Sequence, residues 1–290
     1  LVHKNVTLDG AGLAQTTLVP GFNTGTGSYT QAAGLIFVDY GVSTVFKELA
    51  IDGAGFTCHT GIQARGTYLE VRDCEIRNMY AHKYDGRGIV YLTGTGLVQD
   101  VTMSGIQRIG IHVRGAEEPT APSAVVSGLT YTGKGVGDFL DYGVEFGGGS
   151  GSVLNSTITG CVGVATTDGS TSAGILVTDY YGPGTTADID GCNLTGNYAG
   201  MAVGYLDTDQ SQVTIHNSSL GGNTDYGIHS TGPVVDATDN DWGDASGPFH
   251  ASKNPNGLGV PADDFINFTP WTGRTTTVIA DLGIDPTSRN

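Results

Sequence analysis

A glycine followed by a large apolar residue returns eight times along this chain of 290 residues: "GLIFV" at 34, "GIQAR" at 61, "GIVYL" at 88, "GIHVR" at 110, "GVEFG" at 143, "GILVT" at 174, "GMAVG" at 200 and "GIHST" at 227. Successive copies are 27, 27, 22, 33, 31, 26 and 27 residues apart. About ten residues after each copy comes a second segment of alternating apolar residues, from "VFKELAIDG" and "LEVRDCEIRN" to "VTIHNSSLGGN" and "VVDATDNDW". Most of these are broken midway by a small or polar residue: Glu48, Asp73, Asp100, Gly128, Ser156, Gly191 or Asn217. "LDGAG" at 8–12 and "IDGAG" at 51–55 carry the pattern towards the N-terminus. Alternation with a period of two is the signature of strands, and no segment has the 3.6-residue period of a helix. The midway break fits a left-handed turn residue, which Gly, Asn and Asp tolerate.

One repeat thus supplies three short strands and too little apolar surface to fold alone. Repeats of this kind bury their side chains by stacking into a solenoid, and the strong default for crossovers between parallel strands is right-handed. The expected fold is all-β: a single-stranded right-handed parallel β-helix solenoid of roughly nine coils, with a C-terminal capping segment. The expected boundaries are 1–237 for the β-helix, 238–272 for the cap and 273–290 for a linker-like tail. The 47 glycines, roughly twice the average usage, agree with many tight turns.

Net charge narrows the partners. A net charge of −16 argues against nucleic acid and anionic membranes, which need a basic face, and no apolar run is long enough to span a bilayer. The acidic, lysine-poor composition fits a secreted, extracellular or cell-surface protein. The charge is uneven: residues 65–114 carry seven of the 13 Lys and Arg against five acids, a local +2, while residues 115–290 carry −16. Cys58, Cys74, Cys161 and Cys192 lack metal-binding spacing and are expected as small buried apolar residues. The start in mid-pattern at "LVHKNVTLDGAG" suggests an excised or processed fragment, with other domains of a longer chain on either side.

The repeat resembles the pectin-lyase-like right-handed parallel β-helix superfamily. The tail "NDWGDASGPFHASKNPNGLGVPADDFINFTPW" at 240–271 is similar to the last-coil segment of secreted bacterial and archaeal members, matching N-x-W-G-x-x-x-G-P at Asn240, Trp242, Gly243, Gly247 and Pro248. The resemblance covers nearly the whole chain and implies the fold, with Trp242, Phe249, Phe265, Phe268 and Trp271 burying the last coil. It implies no reaction. The polygalacturonase-like set N-T-D, D-D, G-H-G and R-I-K is missing, since Asp263-Asp264 lies in the capping tail. The R-x-P-x-x-R of pectate lyases and the D-P-H of mannuronan epimerases are also absent.

Aligning the copies on their glycines places Ile111 and Val113 in inward columns. His112 then points outward, in column with Gln63, Val90, Glu145, Leu176, Ala202 and His229. Arg114 shares an outward column with Arg65. The repeated glycine is read as outward too, leaving a shallow lane free of side chains. Neighbouring coils lie about 4.8 Å apart, so Arg108, His112 and Arg114 should face Asp141 and Glu145 on the next coil, beneath long connections at 79–87, 116–124 and 131–142. Such loops over a repetitive scaffold are where sites are built.

The candidate catalytic residues are His112, Glu145, Lys83 and His82. The candidate substrate-binding residues are Arg65, Arg87, Arg108, Arg114 and Asp141, and the partner they suit is an extended polysaccharide. Elimination on an acidic glycan needs cations on the uronate and a base for its C5 proton, which this set offers. Hydrolysis needs two carboxyls about 5–9.5 Å apart, whereas Asp141 and Glu145 on one strand would stand about 13 Å apart. Lyase chemistry is therefore slightly preferred to hydrolysis. No cofactor is implied; calcium could replace arginine, but no clean oxygen-ligand cluster is visible. The contrasting reading is a non-catalytic spacer, adhesin or glycan-binding module of a larger surface protein, in which these groups are ordinary cross-strand ion pairs worth under about 1 kcal/mol each. His229, alone at the far end, is read as a surface histidine.

Overall fold

The computed structural model describes residues 1–24, 34–115 and 120–273. Its strands form three parallel sheets of ten, six and eight strands that wrap a common core. One turn of chain visits each sheet once: Tyr68–Arg72 lies in the ten-stranded sheet, Glu75–Met79 in the six-stranded sheet and Arg87–Tyr91 in the eight-stranded sheet. The following turn repeats the path in register, with Thr95 opposite Tyr68, Thr102 opposite Glu75 and Ile109 opposite Arg87. About nine such turns make an all-β parallel solenoid, and no helix occurs among the described residues.

The corner between the ten- and six-stranded sheets is where the midway breaks fall. Glu48, Asp73, Asp100, Gly128, Gly191 and Asn217 all have φ between 51° and 67°, the left-handed region in which a single residue reverses the chain. At the remaining break the left-handed residue is Asn155, at φ 48°, and not Ser156. Asparagine tolerates this conformation better than serine. Ser156 turns inward instead, where its Oγ donates to Leu154 O at 2.8 Å and accepts from Leu129 N at 3.1 Å.

The core is a set of columns running along the solenoid axis. Ile62, Ile89, Ile111, Val144, Ile175, Met201 and Ile228 stack rung upon rung and are fully buried. Each contributes roughly 1.5–3 kcal/mol relative to exposure. The four cysteines join this core as free, buried thiols.

The glycine column does not line the surface, as alternation alone suggests. A Cβ on Gly110 would lie 2.6 Å from Cε2 of Tyr131, and one on Gly227 would lie 2.7 Å from the Trp242 ring. Both rings are fully buried. The strand bends at each glycine, so glycine and the following apolar residue both face inward, and the pairing steps from Ile109↔Tyr142 to Ile111↔Val144. Only a residue without a side chain fits this approach. The outward place passes to the preceding residue, giving the column Arg87, Ile109, Tyr142, Ala173, Ala199 and Tyr226.

At the C-terminal end Trp242 is fully buried, its ring centroid 6.1 Å from that of Phe268, while Trp271 packs partly buried against the same cluster. Phe249 and Phe265, expected to join them, are 44 % and 41 % exposed. Three aromatics close the core, and two stand outside it. Residues 274–290 of the expected tail lie outside the described residues.

Candidate functional site

The register of the eight-stranded sheet places His112 beside Glu145 and Arg114 beside Gly147. Both outward columns thus run as the glycine alignment implies. Outward, however, does not mean exposed here. His112 is 0 % exposed, Glu145 3 % and Arg87 6 %, because turns from neighbouring coils fold over the sheet.

One cover is the turn after the strand Ala173–Thr178. Its Tyr181 ring lies 5.4 Å from the His112 ring and 4.0 Å from the guanidinium carbon of Arg114, a cation–π contact. Gly147 makes room for it, since a Cβ there would stand 2.6 Å from Tyr181 Cδ2. Tyr180 continues the aromatic run against Tyr181 at 4.8 Å and against Tyr205, from the next rung, at 4.7 Å. A second cover is Phe139, which packs 4.9 Å from the Arg108 guanidinium and edge-on to Tyr84 at 4.5 Å. Phe139 holds φ at 69°, rare for a bulky residue and sustained only where surrounding contacts fix it.

Beneath these covers the charges form a nest. His112 Nε2 lies 3.5 Å from Glu145 Oε1, too long for a good hydrogen bond. Burial drives the imidazole well below the ordinary histidine range, and Arg87, Arg114 and Arg108 push it the same way, so His112 is neutral. Burial also raises the Glu145 carboxyl, against the pull of Arg108, Arg87 and Arg114. Glu145 Oε2 and Arg108 Nη1 are buried without a hydrogen-bond partner. The nest is therefore a neutral imidazole and one carboxyl among three guanidiniums.

The other sequence candidates stand apart or are occupied. Asp141 does not pair with Arg108 as expected. Its carboxyl accepts from Lys134 N at 3.0 Å, Ser172 Oγ at 2.9 Å and Gly163 N at 3.4 Å, tying three segments together beneath the surface. Lys83 pairs with Asp138 at 3.2 Å and lies over the rings of Tyr84 and Phe139. His82 is exposed and stacks on Tyr84 at 5.1 Å, outside the nest. Arg65 sits under Phe37 and Tyr40, at 6.0 and 5.6 Å, two rungs from Arg114. Arg87 is held by Asp85 at 2.9 Å and by Tyr84 O at 3.0 Å. Burial alone would raise the Asp85 carboxyl, but hydrogen bonds from His59 and Arg87 hold it at about 2. Part of the 116–124 connection, residues 116–119, lies outside the described residues. Among the described residues no group of three or more His, Cys, Asp or Glu is placed to hold a metal ion.

Sequence reasoning passed over three residues that shape this face: Tyr181, Phe139 and Asp263. The tyrosine was signalled only by the pair Tyr180-Tyr181 before a Gly-Pro-Gly turn. Asp263 returns from the cap to lie 2.7 Å from Nδ1 of His229, so that histidine is not alone.

Neither a curated protein nor a solved structure matches the chain. One family model does, described as "Right handed beta helix region", and it matches residues 60–241. These residues include the nest, Tyr181 and most rungs of all three sheets, so the chain belongs to the right-handed β-helix family.

Proposed function

We propose that this β-helix is a glycan-binding module of a secreted or cell-surface protein, holding an extended polysaccharide along the outer face of its eight-stranded sheet. The observation that carries the reading is the exposed tyrosine pair on the rim of that face. Tyr180 and Tyr205 come from successive rungs, are 57 % and 60 % exposed, and pack edge to face. Aromatic rings with one wet side are suited to pack against the apolar faces of sugars while their hydroxyls reach water. Successive parallel rungs extend this face along the axis, as a chain-like ligand requires. A carbohydrate-related or surface-protein role is what membership of the family supports.

A second reading is polysaccharide processing at the nest, by lyase-type elimination on an acidic glycan in preference to hydrolysis. The partnerless Glu145 Oε2 and Arg108 Nη1 favour it, because a charged carboxylate or guanidinium atom buried without a partner is costly and a bound sugar would supply one. In that reading Arg87, Arg108 and Arg114 would neutralise a uronate carboxylate, and His112 would take the C5 proton. It requires the covers of Tyr181 and Phe139 to move aside.

The test is affinity electrophoresis of the chain in gels containing soluble polysaccharides, run beside ultraviolet detection of unsaturated uronides and a reducing-end assay. Retardation without product is the expected result. Product formation abolished by His112→Ala would establish the second reading instead. A chain that no polysaccharide retards, and that releases no product, would remove both.

A further inference from the structure

The column that holds His112 ends on a second histidine–carboxylate pair. His112, Glu145, Leu176, Ala202 and His229 follow one another rung by rung. The cap then adds one more rung, since Ile228 bridges to Ala262 in parallel, and this sets Asp263 beside His229 as Glu145 sits beside His112. The two pairs occupy equivalent positions and have opposite surroundings. His112 and Glu145 have side chains 0 % and 4 % exposed, whereas those of His229 and Asp263 are 45 % and 21 % exposed.

His229 Nδ1 lies 2.7 Å from Asp263 Oδ2, although the approach is out of line for a well-formed hydrogen bond. The same oxygen accepts from Ser230 N at 3.3 Å, which anchors the carboxylate. The ring nitrogen that does not face Asp263, Nε2, is left to meet a ligand. The Tyr226 ring lies 5.2 Å from His229. Burial first, then Asp263, Asp225 and Asp264, raise the Tyr226 hydroxyl and keep it a donor. Between this corner and the rim pair Tyr180 and Tyr205, the outward residues are small or apolar, namely Ala199, Ala202 and Leu176. We call this strip the saddle: small and apolar residues with tyrosines on both sides and a donor–acceptor corner at one end.

The charge of this half decides what it can hold. From residue 135 to residue 252 there is no Lys or Arg, against 14 Asp and Glu. The guanidiniums that could meet a uronate lie upstream, under the Tyr181 and Phe139 covers. An acidic sugar on the saddle would face carboxylates, and the one lysine of the cap, Lys253, already donates to Asp264 O at 2.6 Å and Ile266 O at 3.1 Å, whereas uncharged hydroxyls would find acceptors and donors.

We propose that the saddle is a subsite for an uncharged glycan, stacked on Tyr205 and Tyr180 and hydrogen-bonded at its end by His229, Asp263 and Tyr226. This rests on the glycan-binding reading above and specifies its ligand. It also makes the cap segment part of the site, because Asp263 comes from it.

The experiment uses the full chain and four variants: Tyr205→Ala, His229→Ala, Asp263→Asn, and Tyr80→Ala as an exposed tyrosine in the 79–87 connection, several rungs from the saddle. Affinity electrophoresis and titration calorimetry compare a neutral β-glucan, a galactomannan and a xylan with polygalacturonate and alginate, at low and high salt. The expected result is that a neutral polymer binds with little salt dependence, as screening acts only on charges. Tyr205→Ala should weaken it about fivefold to tenfold, the cost of one aromatic contact. His229→Ala and Asp263→Asn should weaken it measurably, and Tyr80→Ala should leave it unchanged. Melting temperatures equal to that of the parent exclude a folding defect. Salt-sensitive binding of the polyuronates alone, or neutral binding indifferent to Tyr205 and His229, overturns the proposal and leaves the glycan reading standing. Retention of no polymer of either charge overturns both.

Discussion

Replacing His112 by glutamine tests whether the nest holds a neutral imidazole or an imidazolium–carboxylate pair. Burial keeps folded His112 unprotonated well below its ordinary value of 6.5. In the unfolded chain the same side chain takes up a proton near that value. Between the two, the unfolded state binds one more proton than the folded state, so stability falls as pH falls. The full slope is about 1.4 kcal/mol per pH unit, and integrating from pH 7 to pH 5 with an unfolded pKa of about 6.5 gives a loss of about 2 kcal/mol. Glutamine cannot titrate. The Glu145 carboxyl, which burial shifts upward, is present in both proteins and largely cancels from their difference. Urea denaturation at pH 7, 6 and 5, followed by intrinsic fluorescence, should therefore show the parent losing stability relative to His112→Gln, by up to about 2 kcal/mol over that range. A difference that stays constant would mean that burial does not disfavour the proton on His112, and one that moves in favour of the parent at pH 5 would mean that His112 is charged and paired with Glu145 across their 3.5 Å contact. The reasoning from burial would then be wrong.

Other substitutions test the scaffold. Trp242→Ala removes the largest buried ring of the cap and should cost about 3–5 kcal/mol; an unchanged melting temperature would show that the cap does not close the core. Gly110→Ala drives a Cβ to 2.6 Å from Tyr131 and 2.5 Å from Gly143 O, and should cost about 1–3 kcal/mol or more. Gly137→Ala, with no atom within 4 Å of its added Cβ, should be neutral or slightly stabilising by the same denaturation measurement. Tyr181→Ala removes the ring that covers His112 and Arg114, and should speed modification of His112 by diethyl pyrocarbonate, read by peptide mass spectrometry; an unchanged rate would mean that other groups close the nest.

Much of the fold was legible because a parallel solenoid converts sequence position directly into place. Once the glycines are aligned, His112 must fall beside Glu145 and Ile111 beside Val144, and the structure has both pairs. The left-handed corners were legible for a local reason, namely the few residue types that tolerate positive φ; Ser156 failed where its neighbour Asn155 was better suited. The orientation of the glycine was not legible. Alternation fixes the face only while the strand stays straight, and the bend at each glycine puts two successive residues inside. The cap aromatics were legible as a group but not one by one, since Phe249 and Phe265 share the composition of Trp242 and Phe268 and lack their place over the last coil.

What periodicity could not convey is cover. His112 and His229 stand in one column, each with a carboxylate on the next rung, so the repeat assigns them equal positions. Their difference comes from segments that do not repeat. A tyrosine from the turn after Thr178 closes over the first, and a phenylalanine held at positive φ covers the neighbouring Arg108, while the rim beside the second stays open. Loops over a regular scaffold vary without disturbing it. A column of outward residues can thus serve as an internal brace at one rung and a contact surface four rungs later. The same substitution, His→Ala, should separate the two roles: at position 112 it acts on stability and its pH dependence, and at position 229 it acts on ligand affinity with the fold intact. If both variants lose stability alone, the open end of the column is a brace as well, and the ligand must lie on another face.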